Sequence, residues 1–155
     1  MKVSIFSRAD VYDMREKNNF PKNTAVVSFY EPEFKKIDPK YDHVDYTGLC
    51  SDVVFFPVDD LDIIQLKIRG MKEEDFFPEA EKTVEFIYSV YEKGMDIAFQ
   101  CELGQSRSAG CAAAVLEHFY HTGITVFADY KRVPSQLMYN RMFKALEKYK
   151  EECQK

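Results

Sequence analysis

Cys101 and Arg107 stand six positions apart in the stretch Cys101-Glu102-Leu103-Gly104-Gln105-Ser106-Arg107-Ser108. Their types and spacing could do chemistry together. A cysteine thiolate is a strong nucleophile. An arginine guanidinium is a planar fork that grips two oxygens of a tetrahedral oxyanion such as a phosphoryl group. With four cysteines in the chain, such a pair could arise by chance. Gly104 in mid-loop, where an unusual dihedral would be needed, and Ser108 directly after the arginine make chance a poorer account. The bland reading makes Cys101 a small buried hydrophobe and Arg107 a solvated helix residue. It explains neither Gly104 nor the abrupt change of pattern around the loop.

That change of pattern is what would position the two groups. Asp96 to Gln100 reads as a short strand that delivers Cys101 to a sheet edge, and a helix runs from about Ser106 to Thr122 with Gly123 as its stop. The positive end of that helix points back into the loop. The backbone N–H groups of residues 102 to 107 can then face inward as an anion cradle, and the same field favours the thiolate. Further strands are expected at Lys2 to Ser7, Thr24 to Tyr30 and Val53 to Val58. The last is a continuous apolar run suited to a strand covered on both faces. Ala9 to Asn18 is helix-permissive. Pro78 opens a helix with Ala80, Val84, Ile87 and Tyr91 at helical spacing, closed by Gly94. A last helix from about Pro134 carries Met138, Met142, Ala145, Leu146 and Tyr149 on one face. Glu31 to Tyr46 reads as a loop. Alternating strands and helices imply an α/β fold of three layers, a mostly parallel central sheet flanked by helices, with ligands bound beyond the carboxyl ends of the strands. One domain spanning residues 1–155 is expected, with no repeat and no linker.

The stretch QCELGQSRSAG resembles the signature loop of the cysteine-dependent protein tyrosine phosphatases, Cys-x5-Arg-[Ser/Thr], and is most similar to the dual-specificity branch. The resemblance extends upstream to Phe56-Pro57-Val58-Asp59-Asp60, which is similar to the strand and acid loop of that family, and to the helix after Phe77-Pro78. It covers roughly residues 53 to 146. It implies Cys101 as nucleophile, Arg107 as the phosphate-binding arginine and Ser108 as the hydroxyl that steadies the thiolate. It further implies Asp60 as general acid, and the backbone of Glu102, Leu103, Gly104, Gln105, Ser106 and Arg107 as the phosphate cradle. The implied reaction is hydrolysis of a phosphomonoester through a thiophosphoryl-cysteine, with no metal or other cofactor, on phosphotyrosine, with phosphoserine and phosphothreonine as further candidate substrates. A non-protein ester such as a phosphoinositide or nucleotide, and a catalytically weak phospho-binding module, are the alternatives. Asp59 and Asp62 are also candidates for the acid; alignment on Pro57-Val58 favours Asp60.

The chain departs from the family pattern at Gln100, where a histidine is usual. A glutamine donates a hydrogen bond but cannot become a cation, so slower turnover is expected. Leu103 replaces a small residue. The segment after Asp60 is longer than usual and holds Lys67, Arg69 and Lys72, which could meet a charged substrate or form a solvated face. His118 and His121, three apart, are expected to be surface histidines. Cys111 is expected in the core, and Cys50 and Cys111 are weak candidates for a disulfide with Cys101.

The 155 residues are 46% hydrophobic and 15% aromatic with a formal net charge of −5. That composition supports a folded core and argues against a nucleic-acid partner, since backbone binding needs a basic face. A phosphorylated protein or small phosphoester remains an available partner, because a local cluster of donors can hold a phosphate in an acidic protein. No run reaches the ~18 apolar residues of a membrane span, and Met1 to Phe6 is too short for a signal-peptide core. The chain is therefore expected to be soluble and cytoplasmic.

Overall fold

The computed structural model describes residues 1–155. The chain runs β1 (Val3–Phe6), α1 (Arg8–Glu16), β2 (Thr24–Tyr30), α2 (Phe34–Ile37), β3 (Val53–Pro57), α3 (Ile63–Ile68), α4 (Glu73–Phe76), α5 (Ala80–Glu92), β4 (Asp96–Gln100), α6 (Arg107–Tyr120), α7 (Ile124–Ala128) and α8 (Gln136–Cys153). The strands form one sheet in the order β1-β4-β2-β3, with every neighbouring pair parallel. The expected α/β class and its three layers are therefore present.

The inner position of β2 and β4 explains their composition. Side chains alternate across a strand, and here both faces are covered. Ala25, Val27, Phe29, Ile97 and Phe99 join the larger core with α5, α6 and α8. Val26 and Ala98 face the other way, against Val11 of α1, Val44 and Tyr46. A strand buried on both sides leaves few polar positions, so Thr24 to Tyr30 is mostly apolar, and its buried Ser28 donates to the Gln100 side chain.

The elements begin and end where local chemistry dictates. Helix α1 starts one residue earlier than expected because Ser7 and Asp10 form a reciprocal capping box. Helix α5 starts two residues after Pro78 and stops before Gly94, whose φ is +66°. Of its expected face, Ala80, Val84 and Ile87 are buried while Tyr91 is exposed, and Val90 takes the inner position instead. The last helix begins at Gln136, with the Ser135 hydroxyl accepting from the Met138 N–H. The long segment after Asp60 is not a plain loop. It folds into α3 and α4, which tuck Leu66 and Phe76 into the core. Glu31 to Tyr46 contains the single turn α2, and α7 was not legible in the sequence.

His118 corrects an expectation. His121 is on the surface, but the His118 side chain is only 2% exposed. Its Nε2 lies 2.7 Å from the Tyr88 hydroxyl and its Nδ1 lies 2.6 Å from Glu147, which ties α5, α6 and α8 together. A buried polar ring requires such partners.

The tightest joint is between α6 and α8. A Cβ at Gly110 would sit 2.5 Å from the Ser135 carbonyl oxygen and 3.1 Å from Met138 Cβ. Alanine is the better helix former by about 0.8–1.0 kcal/mol, but a backbone carbonyl cannot swing aside as a flexible side chain does. Gly110→Ala is expected to destabilise the fold by about 1–3 kcal/mol net. A lower denaturant midpoint at unchanged slope is the expected result; an unchanged or raised midpoint would show that the joint has slack.

Candidate functional site

The site lies at the carboxyl edge of the sheet, and each strand contributes to it. Strand β4 ends at Gln100 and hands over Cys101, which is 1% exposed. The Cys101 N–H donates to the Phe6 carbonyl at the end of β1. The loop from Glu102 to Ser106 then turns back to start α6 at Arg107. Gly104 makes that turn with φ of +64°, and its missing Cβ would lie 2.9 Å from the Ser7 nitrogen and 3.0 Å from the Phe6 carbonyl carbon. Both the left-handed conformation and the close approach require glycine.

The hydrogen bonds of this loop are one-sided. The carbonyl of Glu102 accepts from the Arg8 N–H at 3.1 Å, that of Gln105 from the Val133 N–H at 2.9 Å, and that of Ser106 from the N–H groups of Ser135 at 3.0 Å and Gly110 at 2.8 Å. The carbonyl of Gly104 accepts from Arg132 Nη1 at 2.5 Å. None of the N–H groups from Glu102 to Arg107 donates to a backbone carbonyl. The loop is thus everted, with carbonyls anchored outward and N–H groups left over at the start of a fourteen-residue helix. Such an arrangement can hold an anion.

Cys101 Sγ lies 3.0 Å from Ser108 Oγ, both fully buried. The Arg107 side chain is 3% exposed. One Nη donates to the Val58 carbonyl at 2.8 Å, the other to the Glu31 carboxylate, and Nε is buried with no partner in the protein. A cavity of about 480 Å³ is lined by Cys101, Arg107, Glu31 and Asp60 together with loop residues. Of the three candidate acids, only Asp60 lines it. Asp60 accepts from Ser106 Oγ at 3.1 Å, whereas the Asp62 carboxylate caps α3 by accepting from the Gln65 N–H at 2.7 Å. Leu103 is 69% exposed at the rim. Lys67, Arg69 and Lys72 do not line the cavity.

Several members of the site went unnoticed in the sequence. Glu31 leaves the end of β2 beside Cys101 and supplies the counterion to Arg107. Tyr41 accepts from the Glu31 N–H at 3.1 Å and donates to the Glu102 carboxylate at 3.3 Å, while Arg8 Nε donates to the same carboxylate at 2.8 Å. Burial pushes the Tyr41 phenol up, so it serves as a neutral hydroxyl. The Glu102 side chain is therefore held by Arg8 and Tyr41. The one available signal was position: Glu31 follows the strand that neighbours β4, where a parallel sheet gathers its ligand-binding groups.

Gln100 uses its amide to order the neighbourhood. Its Oε1 accepts from the Ser28 hydroxyl at 2.5 Å and the Tyr46 hydroxyl at 3.0 Å, and its Nε2 donates to the Cys101 carbonyl at 2.8 Å. Burial drives the Tyr46 phenol well above its ordinary range, so it stays a donor. Cys50 sits at the opposite, amino end of β2, where its thiol donates to the Thr24 carbonyl. The length of β2, about 20 Å for a strand of this size, rules out a disulfide with Cys101, which needs a Cα separation under about 7 Å. Complete burial raises the Cys111 thiol well above its usual range and leaves it inert as a nucleophile.

Solved structures share this architecture. Human DUSP28 superposes with a TM-score of 0.58 at 14% identity, over 96% of this chain and 90% of that one. The chain shares the fold of that structure. The human tyrosine phosphatase-like serine/threonine/tyrosine-interacting protein matches with a TM-score of 0.53 at 14% identity, over 96% and 87% of the two chains. PTPMT1, solved in complex with PI(5)P, matches with a TM-score of 0.51 at 13% identity, over 98% and 94%. No family model and no curated protein matches the sequence.

Gln100→Leu is expected to lower stability by about 1–3 kcal/mol, the cost of leaving buried polar groups unpaired, since two hydroxyls and the Cys101 carbonyl lose their partner. Thermal or denaturant unfolding measures it; an equally stable variant would mean that the amide network is dispensable.

Proposed function

We propose that this chain is a phosphomonoester hydrolase of the Cys-x5-Arg type that acts on phosphotyrosine, and on phosphoserine or phosphothreonine where the cavity admits them. The observation that carries the proposal is the everted loop: a buried thiol begins a loop whose N–H groups take no backbone partner, and Arg107 and Asp60 line the same cavity as that thiol.

The phosphoryl dianion enters the cradle, and its equatorial oxygens take the loop N–H groups and the free donors of Arg107. Glu31 and Val58 hold that guanidinium in place. The Cys101 thiolate, steadied by the Ser108 hydroxyl, attacks phosphorus in line. The P–O bond to the substrate breaks, and Asp60 gives its proton to the departing oxygen. A thiophosphoryl-cysteine remains. Asp60, now a carboxylate, takes a proton from water as that water attacks phosphorus, the P–S bond breaks back to the thiolate, and inorganic phosphate leaves. No cofactor enters these steps. All four cysteines are free thiols, which suits a chain working in the reducing cytoplasm. No helix is long and apolar enough to cross a membrane.

Hydrolysis of para-nitrophenyl phosphate without added metal tests the proposal. Wild-type activity is expected to be blocked by vanadate and lost by about 10³-fold or more in Cys101→Ser, as when a nucleophile is removed. Asp60→Ala is expected to cost about 10²-fold on an alkyl phosphate, whose leaving oxygen needs the proton, and less on the nitrophenyl ester. Activity that survives Cys101→Ser would discard the cysteine mechanism. Tight binding of phosphotyrosine without turnover in any form would favour a phospho-binding module.

A further inference from the structure

A second cavity opens beside the one that holds Cys101. It encloses about 500 Å³, within the roughly 300–1,000 Å³ typical of ligand sites. The two cavities share Asp60, Ser106 and Val133. The sharing has a chemical direction. Asp60 is the group assigned to protonate the departing oxygen, so whatever carries that oxygen must pass Asp60. The second cavity begins there.

Its apolar lining comes from Leu61, Ile63, Ile64, Val133, Pro134 and Leu137. Its polar side chains are already engaged in the fold. The Asp62 carboxylate and the Gln65 side-chain carbonyl cap each other's backbone N–H groups at 2.7 Å and 2.9 Å. The Ser135 hydroxyl accepts from the Met138 N–H at 3.1 Å, and Gln136 Nε2 donates to Asn140 at 3.1 Å. What remains to offer a ligand is aliphatic surface, and Ile64 and Val133 are each 69% exposed.

Charge narrows the occupant. Across both cavities Arg107 is the only basic lining residue; Glu31 is paired with it and Glu102 with Arg8, which leaves the carboxylates of Asp60 and Asp62 lining the second cavity. A headgroup with several phosphates, or an anionic membrane surface, would bring negative charge to Asp60 and Asp62 in a cavity that no basic residue lines. A single phosphate followed by a neutral apolar group meets no such penalty.

We infer that the second cavity is a specificity subsite that takes a bulky apolar side chain next to the phosphorylated residue of a peptide substrate. The inference rests on the phosphatase reading above and names the substrate class for it. Hydrophobic pockets discriminate by roughly 10–200-fold per missing methylene-sized contact, which sets the effect to look for.

The test compares two phosphotyrosine peptides that differ only in having Leu or Asp at both flanking positions. Their kcat/KM values are measured for wild type and Ile64→Glu, with para-nitrophenyl phosphate as a reference substrate. Wild type is expected to favour the Leu peptide by about tenfold or more, mainly through KM, and Ile64→Glu to shrink that ratio to about threefold or less. Ile64 is exposed, so the substitution leaves the core intact. Equal values for both peptides in wild type, with the reference ester still hydrolysed, would overturn the subsite and leave the phosphatase reading standing. Faster hydrolysis of a phosphoinositide in vesicles than of either peptide would overturn it in favour of a lipid. No hydrolysis of any substrate, the reference ester included, would remove the reading and the inference together.

Discussion

A loop whose N–H groups take no backbone partner must still find donors for its carbonyls. Everything around Cys101 follows from that constraint. Backbone polar groups that find no partner away from water cost about as much as a lost hydrogen bond. The chain meets the carbonyl half of the demand from three separate places: Arg8 at the start of α1, Arg132 and Val133 after α7, and Ser135 ahead of α8. The N–H half is left open, and so is Arg107 Nε. This is a local concentration of unsatisfied donors, offset by the packing of the large core beneath it, and an anion is what would relieve it.

The parallel sheet makes such a concentration possible. All four strands point the same way, so their carboxyl ends gather on one edge. β1 contributes the Phe6 carbonyl and the Ser7 turn against which Gly104 packs. β2 contributes Glu31, β3 contributes Val58 and Asp60, and β4 contributes Cys101. An antiparallel sheet would divide these groups between two edges. The helix that follows β4 adds its positive end at the same place. The Cys101 thiol, the Arg107 guanidinium and the Asp60 carboxylate therefore line one cavity as a consequence of one topology, although Asp60 lies far upstream of the other two in sequence.

Much of this was legible in the residues themselves. Cys101, Gly104, Arg107 and Ser108 announce the loop because each type has a distinct physical use there, and the apolar runs around Val26, Phe55 and Ala98 mark strands that no solvated segment could mimic. Alignment on Pro57-Val58 favoured Asp60 over Asp59 and Asp62, and of the three only Asp60 lines the cavity, a difference of direction and not of residue type. Glu31, Tyr41 and Arg8 were hidden for another reason. Their roles depend on which strands are adjacent and on where a long excursion returns, and neither follows from local pattern. His118 failed in the opposite direction: three-residue spacing with His121 suggested a shared face, but one ring turns into the α5–α6–α8 seam and the other into water. Tyr91 fell to the same kind of ambiguity, since a one-residue rotation of a helix face exchanges it with Val90.

The pairing of Arg107 with Glu31 sets a carboxylate against the phosphoryl group proposed for the cavity. A guanidinium at 3% exposure without a counterion would carry a heavy desolvation cost. Glu31 offsets that cost from one side only. An arginine has five N–H groups, and here the Val58 carbonyl and Glu31 occupy one on each terminal nitrogen. The Nε–H and the remaining hydrogens stay available, which is the set a tetrahedral oxyanion needs for a two-point grip. The carboxylate thus acts as a fixed brace behind the fork. Tyr41, by bonding the Glu31 N–H and the Glu102 carboxylate together, makes the brace and the cradle parts of one rigid unit. Pre-organisation of this kind lowers the cost of ordering the site when charge develops, and it explains why a segment as polar as Glu31 to Tyr46 should fold down onto the sheet edge when its composition alone would leave it in solvent.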